Sequence, residues 1–129
     1  MAKFERYHPI MTPHFTMDWL TQFKVKDINL LRRQTVPNET IIETAKYVNR
    51  QMSTVMHDQS LTWGVAEKQT DVFRGIVQLT PSSRASSSAQ LTIVPMTKPD
   101  DELVNEIQTY MAGFAKNTFG SSQTELIIK

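Results

Sequence analysis

The sequence predicts an α+β domain with a mixed, mostly antiparallel sheet and flanking helices, in the order β-α-α-β-β-β-α-β. Three observations carry that expectation. The middle of the chain holds the β-branched and aromatic runs LTWGVAE, FRGIVQL and AQLTIV, separated by polar stretches, and such runs read as an antiparallel meander. On either side of the meander, apolar residues recur at helical spacing. The unit of residues 89–94, 100–118 and 125–128 then closes strand–helix–strand, which demands a parallel, right-handed crossover. At 129 residues the chain suits one domain, because two would each have to hold a core with roughly 60 residues.

Residues 1–14, with Pro9 and Pro13 among mixed neighbours, read as an irregular or loosely attached arm, leaving 15–129 as the domain. Phe15, Met17 and Trp19 share one parity within 15–23 and predict a strand. Val25, Ile28 and Leu31 are three apart, giving a short helix over 25–33 that ends on Arg32 and Arg33, where positive charge is favourable. Pro37 and Asn38 mark a loop, and Thr40 with Glu43 has capping-box spacing, so a second helix starts there. Its apolar face runs through Ile41, Ala45, Val48, Met52 and Val55 as far as Met56, and residues 57–60 break it. Residues 61–67 and 73–79 form a hairpin, TPSSRASSS at 80–88 is a loop, and 89–94 is the next strand. Pro95 and Pro99 interrupt the chain. The clearest helix follows over 100–118, with Leu103, Ile107, Tyr110, Met111 and Phe114 on one face and Gly120 in the C-terminal cap position. ELII at 125–128 is the last strand.

Fourteen basic and thirteen acidic residues leave a net charge of +1, so no nucleic-acid or membrane-surface partner is expected. No run approaches the roughly 20 apolar residues of a membrane span. The start MAKFERYHPIM is charged where a signal peptide is apolar, and a cytoplasmic protein is expected. With no cysteine, disulfides, thiolate chemistry and Cys-ligated metals are excluded. His8, His14 and His57 show no HxH or HxxxH spacing and read as surface or partly buried residues; no metal site is expected. Trp19, Trp63, Tyr47 and Tyr110 could line a pocket, but Trp63 and Tyr110 read as core anchors. Met52, Met56 and Met111 fall on core-facing stripes, and Met96 lies in a more open loop. No G-x-S-x-G, P-loop or dinucleotide fingerprint is present.

The stretch LTWGVAEKQTDVFRGIVQL resembles the second and third strands of the ribosomal-protein and small-amine branch of the GCN5-related N-acetyltransferase (GNAT) superfamily. There an aromatic-containing strand leads to a hairpin and an aliphatic-Gly-Ile strand, here Arg74-Gly75-Ile76. FTMDWLTQFKVKDINLLRR is similar to that family's first strand and helix, with Asp27 before an aliphatic run. The resemblance spans about 15–128 and implies an acyl-CoA N-acyltransferase-like fold.

It also implies a site, and the sequence departs from it. In the family an Arg/Gln-x-x-Gly-x-Gly/Ala turn and a helix N-terminus hold the coenzyme A pyrophosphate. The equivalent VPMTKPDDEL has no glycine, two prolines without N–H donors, and Asp100, Asp101 and Glu102 at the helix start. At ~4 Å and an effective dielectric near 20, each like-charge pair costs on the order of 4 kcal/mol. The chain also lacks a counterpart of the later family helix that carries an Asn and often an acid Tyr, and it has no stretch of small residues that would let a backbone approach a ligand.

Three readings follow. The first is an acetyltransferase-like protein without standard coenzyme A binding, and so without a cofactor, acting as a binding or assembly module. It would pair as a homodimer through strand 125–128 or the face of helix 100–118. The second is an active N-acetyltransferase. Acetyl-CoA would lie in a splay between the strands ending at Leu79–Thr80 and Val94, against the backbone of Ile93, Val94, Pro95 and Met96 and the cation Lys98, with Glu67 or a water as base. The third is an unrelated α+β ligand-binding domain whose element order matches by chance and whose strand 89–94 does not splay from the one after the helix.

Overall fold

A computed structural model describes residues 4–81 and 88–129. Among them six strands form one sheet in sequence order: β1 (Ile10–Met11), β2 (Phe15–Trp19), β3 (Leu61–Glu67), β4 (Phe73–Pro81), β5 (Ser88–Pro95) and β6 (Gln123–Ile128). Helices α1 (Val25–Arg32) and α2 (Ile41–Met56) connect β2 to β3, and α3 (Asp101–Phe119) connects β5 to β6. All neighbouring strands are antiparallel except β5 and β6, which are parallel, as the crossover requires. The expected mixed sheet and element order are present, with one short strand added at the front. Most of the loop expected at 80–88 lies outside the described residues. Among those described, no helix is long and apolar enough to cross a membrane.

Strand alternation sorts the side chains onto two faces. Trp19, Trp63, Val77 and Ile93 lie in register across one face, with Leu61, Leu79 and Leu91 beside them. Helix α3 covers that face with the i, i+4 stripe Leu103, Ile107, Met111 and Ala115, all with no exposed surface. Tyr110, expected in this core, lies one position off the stripe and is 40% exposed. The opposite face carries Thr62, Gln78 and Thr92 in register, and beside them Gly64, Ile76 and Val94. Helices α1 and α2 pack on one end of it through a second core of Leu20, Ile28, Leu31, Val48, Phe73 and Ile76.

The arm expected to be irregular is fastened down. Phe4–Arg6 form a 3-10 turn, and β1 pairs with β2. Phe4 and Ile10 are buried, Trp63 Nε1 donates to the Tyr7 carbonyl at 2.9 Å, and the Phe4 N–H donates to Asp58 at 2.9 Å. Two prolines made the stretch look loose, whereas its apolar residues find tertiary partners.

The capping box at α2 forms as expected, with the Glu43 N–H on Thr40 Oγ1 at 3.1 Å and the Thr40 N–H on Glu43 Oε1 at 2.9 Å. Val48 and Val55 of the expected face are buried and Met52 packs against the main core, but Thr44 is buried as well, while Ile41, Ala45 and Met56 are exposed. Polar bonds hold Thr44 there. Thr44 donates to Glu39 at 2.6 Å, and Asn29 Nδ2 donates to Thr44 at 2.9 Å and to the Glu39 carbonyl at 3.0 Å. Arg32 closes the network by donating to both Glu39 oxygens. Burial alone would raise the Glu39 pKa; the Arg32 hydrogen bond, the largest influence, holds it below the ordinary carboxylate value.

Candidate functional site

The first candidate region is the start of α3. A β-bulge makes it: the β3–β4 register shifts between Val65 and Ala66, so Arg74 has no partner residue in the ladder, and the extra residue redirects its side chain. Arg74 lies over the Phe15 ring at 5.3 Å. Its Nη1 donates to Glu67 Oε2 at 2.7 Å, and its Nη2 donates to Asp100 Oδ2 at 2.7 Å. Asp100 also caps the helix, its Oδ1 accepting the Leu103 N–H at 3.3 Å. Arg74 is held charged above its ordinary range, first by the Asp100 hydrogen bond and then by Glu67. Glu102 approaches Arg74 at 3.9 Å, while Lys98, Asp101 and Glu102 are exposed. One guanidinium is thus shared among carboxylates at the helix N-terminus.

The strands beside it are closed. β4 and β5 pair without interruption from Gly75↔Pro95 to Pro81↔Ala89, so no splay separates Leu79–Thr80 from the β5 strand. β5 and β6 stay paired through Ile93↔Ile128, with the Lys129 N–H on the Ile93 carbonyl at 3.0 Å and the Met96 N–H on the Arg74 carbonyl at 2.8 Å. Gly75 permits this close fit, since a Cβ there would meet the Val94 carbonyl at 2.6 Å. Of the residues singled out in the sequence, Ile93 and Pro95 are buried and Val94 is half-buried. Met96 packs on the smaller core, and its carbonyl accepts from Gln34 Nε2 at 2.7 Å. Glu67 stands on the α3 face.

The second region is a cleft of about 380 Å³ on the opposite face. Ile76, Gln78, Thr92 and Val94 form its floor; Leu31 and Arg32 of α1 and Tyr47 and Gln51 of α2 form its wall. The Arg32 guanidinium lies 4.0 Å over the Tyr47 ring and is paired with Glu39 at 2.8 Å. Burial raises the Tyr47 pKa, so its phenol is neutral at pH 7. Gln51 Oε1 accepts from Thr62 at 2.9 Å, which turns its Nε2 away from that bond. No Asp, Glu or His is among the lining residues. Of this set the sequence singled out only Tyr47 as a pocket residue. A signal for the rest is the parity of Gln78 with Thr80 and of Gln90 with Thr92: two central strands polar on one face mark a face that no helix fully covers.

No protein-family model matches the sequence, and no curated protein matches it. Solved structures do, and they define the class: the chain has the acyl-CoA N-acyltransferase-like fold of GNAT acetyltransferases. A protein assigned as a ribosomal-protein-serine acetyltransferase from Vibrio cholerae shares 15% identity at a TM-score of 0.76, over 92% of this chain and 72% of that one. A GCN5-related N-acetyltransferase from Brucella melitensis shares 12% at 0.70, over 90% and 57%. The microcin C7 self-immunity acetyltransferase MccE, solved with acetyl-CoA and AMP, shares 9% at 0.60, over 83% and 66%. At these identities the likeness is one of fold. The element order is therefore that of their fold, although β5 and β6 do not splay over their paired length.

Proposed function

We propose that this chain is an acetyltransferase-like protein that has given up the standard coenzyme A contact and acts as a binding or assembly module. The observation that carries this reading is the Asp100 carboxylate at the α3 N-terminus, capping Leu103 N–H and held by Arg74. A pyrophosphate needs those N–H groups free and a positive potential around them. Here the nearest cation is already neutralised, and Asp101 and Glu102 add negative charge. Amine acetylation also calls for a proton acceptor near the amine. Glu67 lies across the sheet from the cleft and in an ion pair with Arg74, and the cleft lining holds no Asp, Glu or His side chain.

Assembly would use the sheet edge. Among the described residues β6 has a strand on one side only, and it carries Ile128, 53% exposed. Such an edge is a template for a second copy; the exposed face of α3 at Tyr110 is the other candidate surface. Light scattering should report a dimer at micromolar protein, and a clean monomer would remove the assembly half of the proposal.

A second reading, an acetyl-CoA-dependent N-acetyltransferase, draws on the fold and on MccE, solved with acetyl-CoA. It would place the thioester near the backbone of Ile93, Val94, Pro95 and Met96 with Lys98 at the pyrophosphate. Isothermal titration with acetyl-CoA and desulfo-CoA at low salt separates the two. No heat at millimolar ligand is expected. Saturable binding tighter than about 100 μM, or roughly −5.5 kcal/mol, would overturn the module reading.

A further inference from the structure

We propose that the cleft between α1, α2 and the β4–β5 floor binds a small, uncharged, planar molecule with an amide-type edge, adjacent donor and acceptor, rather than a protonated amine. The inference names the ligand class of the module above and rests on that reading.

The charge inventory comes first. An ammonium group needs a carboxylate or several carbonyls when it leaves water. The side chains of the lining include no carboxylate, and two of them, Arg32 and Lys129, are cations. An anion fares little better against Arg32, because Glu39 engages that guanidinium through both oxygens at 2.8 and 3.2 Å. A neutral ligand meets no such penalty.

The hydrogen-bonding groups come second. Gln51 has its oxygen engaged by Thr62, which leaves its NH₂ as a donor pair. Gln78 and Thr92, in register on adjacent strands, and the neutral Tyr47 hydroxyl have no side-chain partner among the described residues. A side-chain amide offers both a donor and an acceptor, and a hydroxyl offers either. Together these groups match a ligand edge that alternates the two, as in a primary carboxamide, a lactam or a nucleobase.

Shape comes third. Leu31, Ile76 and Val94 give the cleft an apolar end, and the Tyr47 ring, backed by Arg32, gives it a flat wall. A ring would lie against that wall with its polar edge toward Gln51, Gln78 and Thr92. Small pockets of this composition are orienting sites: the apolar part supplies affinity and a few polar groups supply selection.

The test is a ¹H–¹⁵N titration of the full chain with nicotinamide and uridine as neutral probes and tyramine as the cationic comparator. Saturable shifts centred on Gln78 and Thr92, with a Kd near or below about 1 mM for at least one neutral probe, are expected for ligands of this size. Tyramine should bind at least about tenfold more weakly. Gln78→Leu and, independently, Thr92→Val should each weaken the neutral probe several-fold while the spectrum stays dispersed. No saturable shift with either neutral probe at about 10 mM, tyramine binding as tightly, or both variants binding like the parent would overturn the inference. Acetyl-CoA is titrated separately. Its binding sinks the module reading and is read at residues 96–103, whereas failure of the cleft inference is read at Gln78 and Thr92.

Discussion

The two faces of this sheet are built from the same strands and are used differently. On the α3 face, the central residues of β3, β4 and β5 are apolar, among them Leu61, Trp63, Val77, Leu79, Leu91 and Ile93, and the helix stripe over them is fully buried. On the other face, the alternate residues of the same strands are Thr62, Gln78 and Thr92, and the helices cover only one end. Burial of apolar area is the main favourable term in folding. The α3 face therefore holds most of the apolar burial, while the other face buries the polar Thr62 and Thr92 and leaves Gln78 half-buried.

The largest expected effect tests that division directly. Ile107→Ala removes a fully buried side chain from the α3 core and should lower the unfolding free energy by about 3–4 kcal/mol in urea titrations. Thr92→Val on the cleft floor keeps the side-chain volume and removes a hydroxyl without a side-chain partner, and should change it by about 1 kcal/mol or less. Comparable losses for the two would mean that the cleft face is as structural as the other.

The same asymmetry explains what could be read from the sequence. Residues 61–67 read as a strand because a central strand covered on both sides is a near-continuous apolar run. Thr40 and Glu43 announced the α2 start because a capping box is local chemistry, needing only residues three apart. The acidic start of α3 was visible too. The role of Arg74 was not, because a bulge in the neighbouring hairpin delivers it and no spacing rule encodes that contact. The cleft was hidden for a similar reason: Tyr47, Gln51, Gln78 and Thr92 come from three elements and converge only in the fold. The burial of Thr44 in α2 was not legible, because it follows from the bond to Glu39, and apolar periodicity does not weigh such a network.

A middle-sized effect sharpens the contrast at the site itself. Arg74→Met keeps the packing over Phe15 but leaves Glu67 and the nearly buried Asp100 without their cation. Removing one member of a partly buried ion-pair cluster strands the rest, at about 1–3 kcal/mol here because Arg74 retains some solvent contact. Thermal unfolding should show that loss. The uridine and nicotinamide titrations should remain within about twofold of the parent, since the lesion is on the far side of the sheet. A matching loss of cleft binding would show that the two faces are coupled.

The smallest expected effect is a pH dependence on the α3 face. There, Glu106 of α3 fastens the β1–β2 turn: Thr12 Oγ1 donates to it at 2.5 Å, the His14 N–H at 2.8 Å, and His14 Nδ1 lies 2.7 Å from its other oxygen. The hydrogen bond to Glu106, followed by its charge, raises the His14 pKa above the ordinary 6.5; Glu102 adds to the rise and Lys68 opposes it. Burial pushes Glu106 upward, but the bonds from Thr12 and His14 together outweigh it and leave its pKa below the ordinary 4.5. The signs then fix the window. A raised histidine contributes stability that is fully present below its unfolded pKa and is lost as pH rises through the folded one. A lowered carboxylate contributes above its unfolded pKa and loses that contribution as pH falls through its folded one. The latch is therefore strongest between about 4.5 and 6.5. His14→Gln should lower Tm most in that acidic window and converge on the parent at alkaline pH. A Tm difference that stays constant from pH 5 to about 9 would show that the histidine acts there through packing rather than charge.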